Sequence, residues 1–166
     1  MRCYIILFLL IVAQNVFSQN FANYQNITLQ TAADYRKIEP QIMLAYELVL
    51  STPVDQKNNN RLDAISFIIR WMSGTPDYSF IMDETLHKVS NGDKDILGVY
   101  FACLVKYALE HGKNVDRADL RYNSYLMLAQ YCENPDNNLK PRGELKYLVA
   151  AKNQNQLKEY LEKKSK

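Results

Sequence analysis

The sequence predicts an all-α protein, an irregular bundle of six to seven helices, with paired antiparallel helices of tetratricopeptide-like type as the alternative arrangement. Three observations carry this expectation. Apolar residues recur at helical spacing along most of the chain. Cap-forming Thr, Asn and Asp residues precede those runs, and Gly or Pro follows them. Five Gly and five Pro in 166 residues are few for a turn-rich β-sandwich, and no segment reads convincingly as a strand.

The elements follow in order. Residues 19–30 are polar and aperiodic and read as an extended arm. Thr31-Ala32-Ala33-Asp34 has the form of a capping box. Pro40 suits the first turn of the next helix, where its missing N–H costs nothing, and Ile42, Ala45, Tyr46 and Val49 then repeat at helical spacing. Ser51-Thr52-Pro53 ends that segment, because a residue before Pro is pushed out of the helical region. Asn58-Asn59-Asn60 offers an N-cap for a helix over about 61–73. Its expected stripe is Leu62, Ile65, Ile69 and Met72, widened by Ala64, Phe67, Ile68 and Trp71, with Gly74 as the stop.

Tyr78-Ser79-Phe80-Ile81-Met82 reads as an aromatic connector. Asp83 caps a short helix that breaks at Asn91-Gly92, and Asp93 caps a helix over about 94–111. The middle of that helix is apolar almost all round, which places it at the centre of a bundle. Gly98 and Ala102, four residues apart, admit close approach by a neighbour. Asp116 caps a helix ending near Glu133, with Ala118, Tyr122, Tyr125, Ala129 and Cys132 as its stripe. Pro141 is expected to open a helix through about Ala151, and Leu157, Tyr160 and Leu161 mark the last one. The helix–stop–Pro pattern at Pro53, Pro76 and Pro135 has unequal intervals, and the Trp, Leu-Gly-Tyr and Ala-Phe spacing of tetratricopeptide repeats is absent.

Residues 1–18 carry the pattern of a signal peptide: Arg2, an apolar run from Tyr4 to Ala13, then Val16-Phe17-Ser18 at the cut. Cleavage is expected before Gln19. The run is about half of the ~20 residues a membrane span requires, so no transmembrane segment is expected after cleavage. Cys3 precedes the apolar run rather than following it, which argues against a lipid anchor. The expected destination is therefore the periplasm or the exterior, and residues 31–166 form a single helical domain. Asn26-Ile27-Thr28 fits the N-glycosylation acceptor pattern, a triplet that also arises readily by chance.

The whole chain has 20 basic and 18 acidic residues, for a formal +2. Removing residues 1–18 takes only Arg2 and leaves +1. That balance gives no reason to expect nucleic acid as a partner. Two cysteines, Cys103 and Cys132, remain in the mature chain, so the fold rests on a hydrophobic core rather than a disulfide framework. The two are expected to stay unpaired, because a 112–115 hairpin connection staggers them by about 12 Å along the helix axis.

No metal or cofactor is expected. His87 and His111 lie in no His-Glu-x-x-His arrangement; His111 falls in the last turn of its helix, where a cation complements the dipole. The close acid sets Asp83-Glu84, Asp93/Asp95 and Asp116/Asp119 all fall at helix starts, where capping accounts for them. Cys103 sits in the most apolar helix, a poor place for a reactive thiolate, and neither a Gly-x-Ser-x-Gly elbow nor a phosphate loop is present. The aromatic excess is the better lead. Trp71, Tyr78 and Phe80 are the candidate ligand or partner surface; if residues 78–80 are extended, Tyr78 and Phe80 project to the same side, over the helix carrying Trp71.

The stretches Arg61-Leu62-Asp63-Ala64-Ile65, Arg70-Trp71-Met72, Gly74-Thr75-Pro76-Asp77-Tyr78 with Phe80, and Gln130-Tyr131-Cys132-Glu133-Asn134-Pro135 resemble small uncharacterised secreted helical proteins of Gram-negative bacteria. The resemblance implies export and brings no catalytic residues. The expected function is that of a non-catalytic protein-interaction or envelope accessory factor with an unknown protein partner. The alternatives are a carrier with an aromatic-lined cavity between helices, and a hydrolase with an unrecognised site. A filled core with an exposed apolar patch favours the first, a large apolar pocket at Trp71 or Tyr78 the second, and a cleft joining a histidine to two acids the third.

Overall fold

The computed structural model describes residues 24–164. The signal-peptide reading, the cut before Gln19 and the first part of the arm lie outside the described residues. Within them the chain is all-α: α1 (Ala32–Lys37), α2 (Glu39–Ser51), α3 (Asn59–Met72), α4 (Glu84–Ser90), α5 (Lys94–His111), α6 (Arg117–Glu133), α7 (Gly143–Asn153) and α8 (Leu157–Lys164), with two short 3-10 turns and no strand. There are eight helices rather than six or seven. The shared junction Ile38 closes α1 and opens α2, and Pro40 stands in the first turn of the second.

The start signals act locally and lie where the residues place them. Thr31 and Asp34 form a reciprocal capping box. Asn58, Asp83, Asp93 and Asp116 each accept backbone N–H bonds from the first turn of the helix they precede. The expected start at Pro141 is corrected: α7 opens at Gly143, whose φ of +51° suits a residue without a Cβ.

Helix α5 is central, as its apolar circumference implied. One side, with Val99, Tyr100, Cys103 and Leu104, joins the core shared with α4, α6, α7 and α8. The other, with Ala102 and Val105, joins the core shared with α2 and α3. Helices α5 and α6 form an antiparallel hairpin: the rings of Tyr100 and Tyr125 lie 4.7 Å apart, which centres the connection near residue 112. Helices α2 and α3 form the second hairpin. Its loop is tied to the rest of the bundle by Val54 N–H on Asn137 O at 2.9 Å and by the Tyr131 hydroxyl on Thr52 O at 2.6 Å.

Two expected stripes are corrected. In α3 the buried face is Ala64, Phe67, Ile68 and Trp71, together with Arg61, while Leu62 and Ile69 face solvent. Both faces are apolar, so tertiary packing chooses. Aromatic side chains of roughly 150–250 Å² at about 25 cal/mol per Å² make the face with Phe67 and Trp71 the more favourable to bury. In α6 the buried face runs through Leu120, Ser124, Tyr125, Leu128, Ala129, Tyr131 and Cys132; Ala118 is exposed and Tyr122 half-buried. The described end of the arm is not free. Tyr24 stacks on Phe67 at 4.7 Å, and Arg70 Nη2 donates to its carbonyl.

Candidate functional site

The segment between α3 and α4 is the most unusual part of the surface. It starts after Gly74, whose absent Cβ leaves room for Tyr35: a Cβ there would stand 1.9 Å from the Tyr35 hydroxyl. It then crosses the bundle to the cap at Asp83. Asp77 fixes one end through Arg36 and Lys113, each at 2.7 Å. These two cations hold the Asp77 carboxyl far below the usual carboxylate range. Asp83 fixes the other end. Its carboxylate accepts from Leu86 N–H at 2.8 Å, from the Tyr125 hydroxyl at 2.7 Å and from Arg121 Nε. Burial alone would raise the Asp83 pKa; these bonds outweigh burial and lower it.

Side chains along this strap alternate. Tyr78 and Phe80 have near-parallel rings, 18° apart at 6.4 Å, and both pack on Trp71, at 5.5 and 6.1 Å. Met82 continues that side, lining with Phe80, Ile69, Met72 and Phe101 a shallow depression of about 210 Å³. Ser79 and Ile81 face the opposite way, into a groove of about 240 Å³ floored by Tyr100, Leu104 and Leu120 and edged by Arg117 and Arg121. Both rings therefore lie against Trp71 on the same side of the strap.

Of the three candidate residues, Trp71 is fully buried and donates its indole N–H to Tyr35 O at 3.1 Å. It supports the surface from beneath and touches no solvent. Tyr78 and Phe80 are half-buried over it. Sequence reasoning passed over Ile69, Ile81 and Met82, which stand 41%, 55% and 52% exposed. The available signal was an unbroken apolar run, Phe80-Ile81-Met82, in a connector that cannot bury both of its faces.

The other candidates have structural employment. His111 stacks on Tyr107 at 3.8 Å, with its Nδ1 2.9 Å from Tyr107 O. His87 is exposed in the last turn of α4. Asp93 and Asp116 are caps. Among the described residues, no three His, Cys, Asp or Glu side chains gather as a metal site. Cys103 and Cys132 are free and buried, and burial drives both thiols upward, Cys132 to about 12. The depression that reaches Tyr78, about 240 Å³, is walled in part by Asp77 and Lys113, which are already paired with each other. No described helix is long and apolar enough to cross a membrane.

Comparison with known proteins places no relative beside this geometry: no family model, no curated protein and no solved structure matches the chain.

Proposed function

We propose that the chain is an exported, non-catalytic protein-interaction factor of the cell envelope, and that its contact surface is the apolar strap between α3 and α4. One observation carries the reading. Trp71 is wholly buried in a packed core, while Ile69 and Met82 remain exposed beside Phe80 and Phe101 on one side of the strap and Ile81 remains exposed on the other. Contiguous apolar side chains that a fold leaves in water mark a surface meant to be covered. The carrier alternative required a large apolar cavity at Trp71 or Tyr78, and the space at Tyr78 is small and edged by charge.

The test is site-specific photo-crosslinking in the protein's own cells. A photoreactive residue at position 82 is expected to yield a discrete adduct. The same residue at Tyr147, which is 64% exposed but stands on α7, is expected to yield none. Equal labelling from both positions, or none from position 82, overturns the reading. Intact-mass measurement of the exported protein is expected to show Gln19 at its N-terminus; a mature chain that retains Met1 removes the export part.

A further inference from the structure

The strap combines three properties that define a site for strand addition. Its side chains alternate, Ser79 and Ile81 to one side and Tyr78, Phe80 and Met82 to the other. From Asp77 to Met82, no backbone N–H or C=O hydrogen-bonds to any described residue. And two of the depressions that flank it, the groove over Leu104 and Leu120 and the one at Met72 and Phe101, are mainly apolar, while the third, at Tyr78, is edged by Asp77 and Lys113. A segment with alternating side chains and a free row of donors and acceptors offers a partner what an unpaired strand edge offers, the feature that native proteins otherwise shorten, charge or cover.

We propose that Ser79–Met82 accepts an extended segment of a partner protein as an added β-strand, with an apolar side chain of that segment over Leu104 and Leu120 and an acidic one on Arg117. The proposal rests on the interaction reading above. In this mode main-chain hydrogen bonds supply affinity and side-chain pockets supply choice. The charge assignment follows from the cations at the groove. Lys113 is paired with Asp77 and Arg121 with Asp83. Arg117, at the rim of the Leu104–Leu120 groove and of the depression at Tyr78, has no ion pair or hydrogen bond from its side chain among the described residues.

A second copy of this chain is the poorer occupant. The acids that end its strap, Asp77 and Asp83, are already paired with Arg36, Lys113 and Arg121, so a second strap brings no free carboxylate to Arg117.

The test uses the protein purified from its own cells and random peptides of about ten residues displayed on phage, a length that spans such a strand. Selected peptides are expected to alternate apolar residues around an Asp or Glu. Adding one is expected to slow amide hydrogen exchange at Ser79–Met82. Ile81→Pro, which deletes one main-chain donor, should weaken binding about tenfold. Arg117→Glu, a surface change that leaves the strap intact, should abolish the preference for acid and serves if Ile81→Pro fails to fold.

Failure to select any peptide overturns the proposal, as does binding that leaves exchange at Ser79–Met82 unchanged. Slowed exchange without peptide, rising with protein concentration alongside a dimer in sedimentation, overturns it in favour of self-pairing. A crosslink from position 82 with no strap protection leaves the interaction reading standing and removes strand addition alone.

Discussion

The Tyr125 hydroxyl donates to Asp83 Oδ1 at 2.7 Å, so the residue that caps α4 is held by α6. The same carboxylate takes Arg121 Nε, and Arg121 Nη2 reaches on to Thr85 Oγ1 at 2.9 Å and Leu161 O at 3.2 Å. One half-buried carboxylate thus joins the strap, α4, α6 and α8.

Asp83→Asn is expected to lower stability and to flatten its pH dependence. The folded-state pKa is depressed. The stabilisation is therefore fully present above the unfolded carboxylate value of about 3.9, and is lost as pH falls through the folded value. Urea midpoints measured from about pH 6 down to about pH 2 should fall less steeply in the variant. Tyr125→Phe should cost about 1.5–3 kcal/mol near neutrality, the range for a hydrogen bond to a charged group.

Gly98→Ala should destabilise despite the better helix propensity of Ala. An added Cβ would stand 2.8 Å from Ile65 Cδ1 and 3.2 Å from Cγ2. Overpacking of this kind costs about 1–3 kcal/mol, against the roughly 0.5–1 kcal/mol gained by removing Gly from a helix. Ile65→Val deletes Cδ1, so the double variant should be more stable than the sum of the singles. A denaturant double-mutant cycle measures the coupling.

Arg61→Met is expected to raise the urea midpoint. Arg61 is fully buried in the first turn of α3, where a cation opposes the helix dipole. None of its guanidinium nitrogens meets an acceptor at full hydrogen-bond geometry, although the guanidinium's charge and a weaker polar contact act on the nearby Tyr131 hydroxyl, favouring ionisation against burial. An apolar chain of similar length removes the desolvation cost and keeps the packing. A lowered midpoint would show that the guanidinium contributes more than it costs.

The two thiols should be silent in the native protein and countable after unfolding. Both are buried in the core around α5 and α6, and burial raises both pKa values. A thiol reagent near pH 8 should therefore reach Cys103 and Cys132 only on denaturation, counting two groups in protein that lacks residues 1–18 and a third, from Cys3, in protein that keeps them. No reaction from the denatured, unreduced protein would reveal a disulfide and contradict the hairpin stagger.

Cap and stop residues were legible because their energetics are local. Asn58, Asp83, Asp93 and Asp116 satisfy N–H groups within three residues of themselves, so the sequence by itself determined where four helices begin. It also determined that α5 lies at the centre, since a helix apolar all round has no face to give to water. The face that α3 buries was not legible, because Leu62 and Ile69 are apolar like Phe67 and Trp71, and the larger gain from burying the aromatic face is realised only where α2 and α5 stand against it. Nor was the burial of Arg61, or the exposure of Ile81 and Met82. Those were decided by tertiary packing: α2 and α5 fill one side of α3 and leave no second layer to cover the strap, so an apolar run that reads as core in the chain ends as surface in the fold.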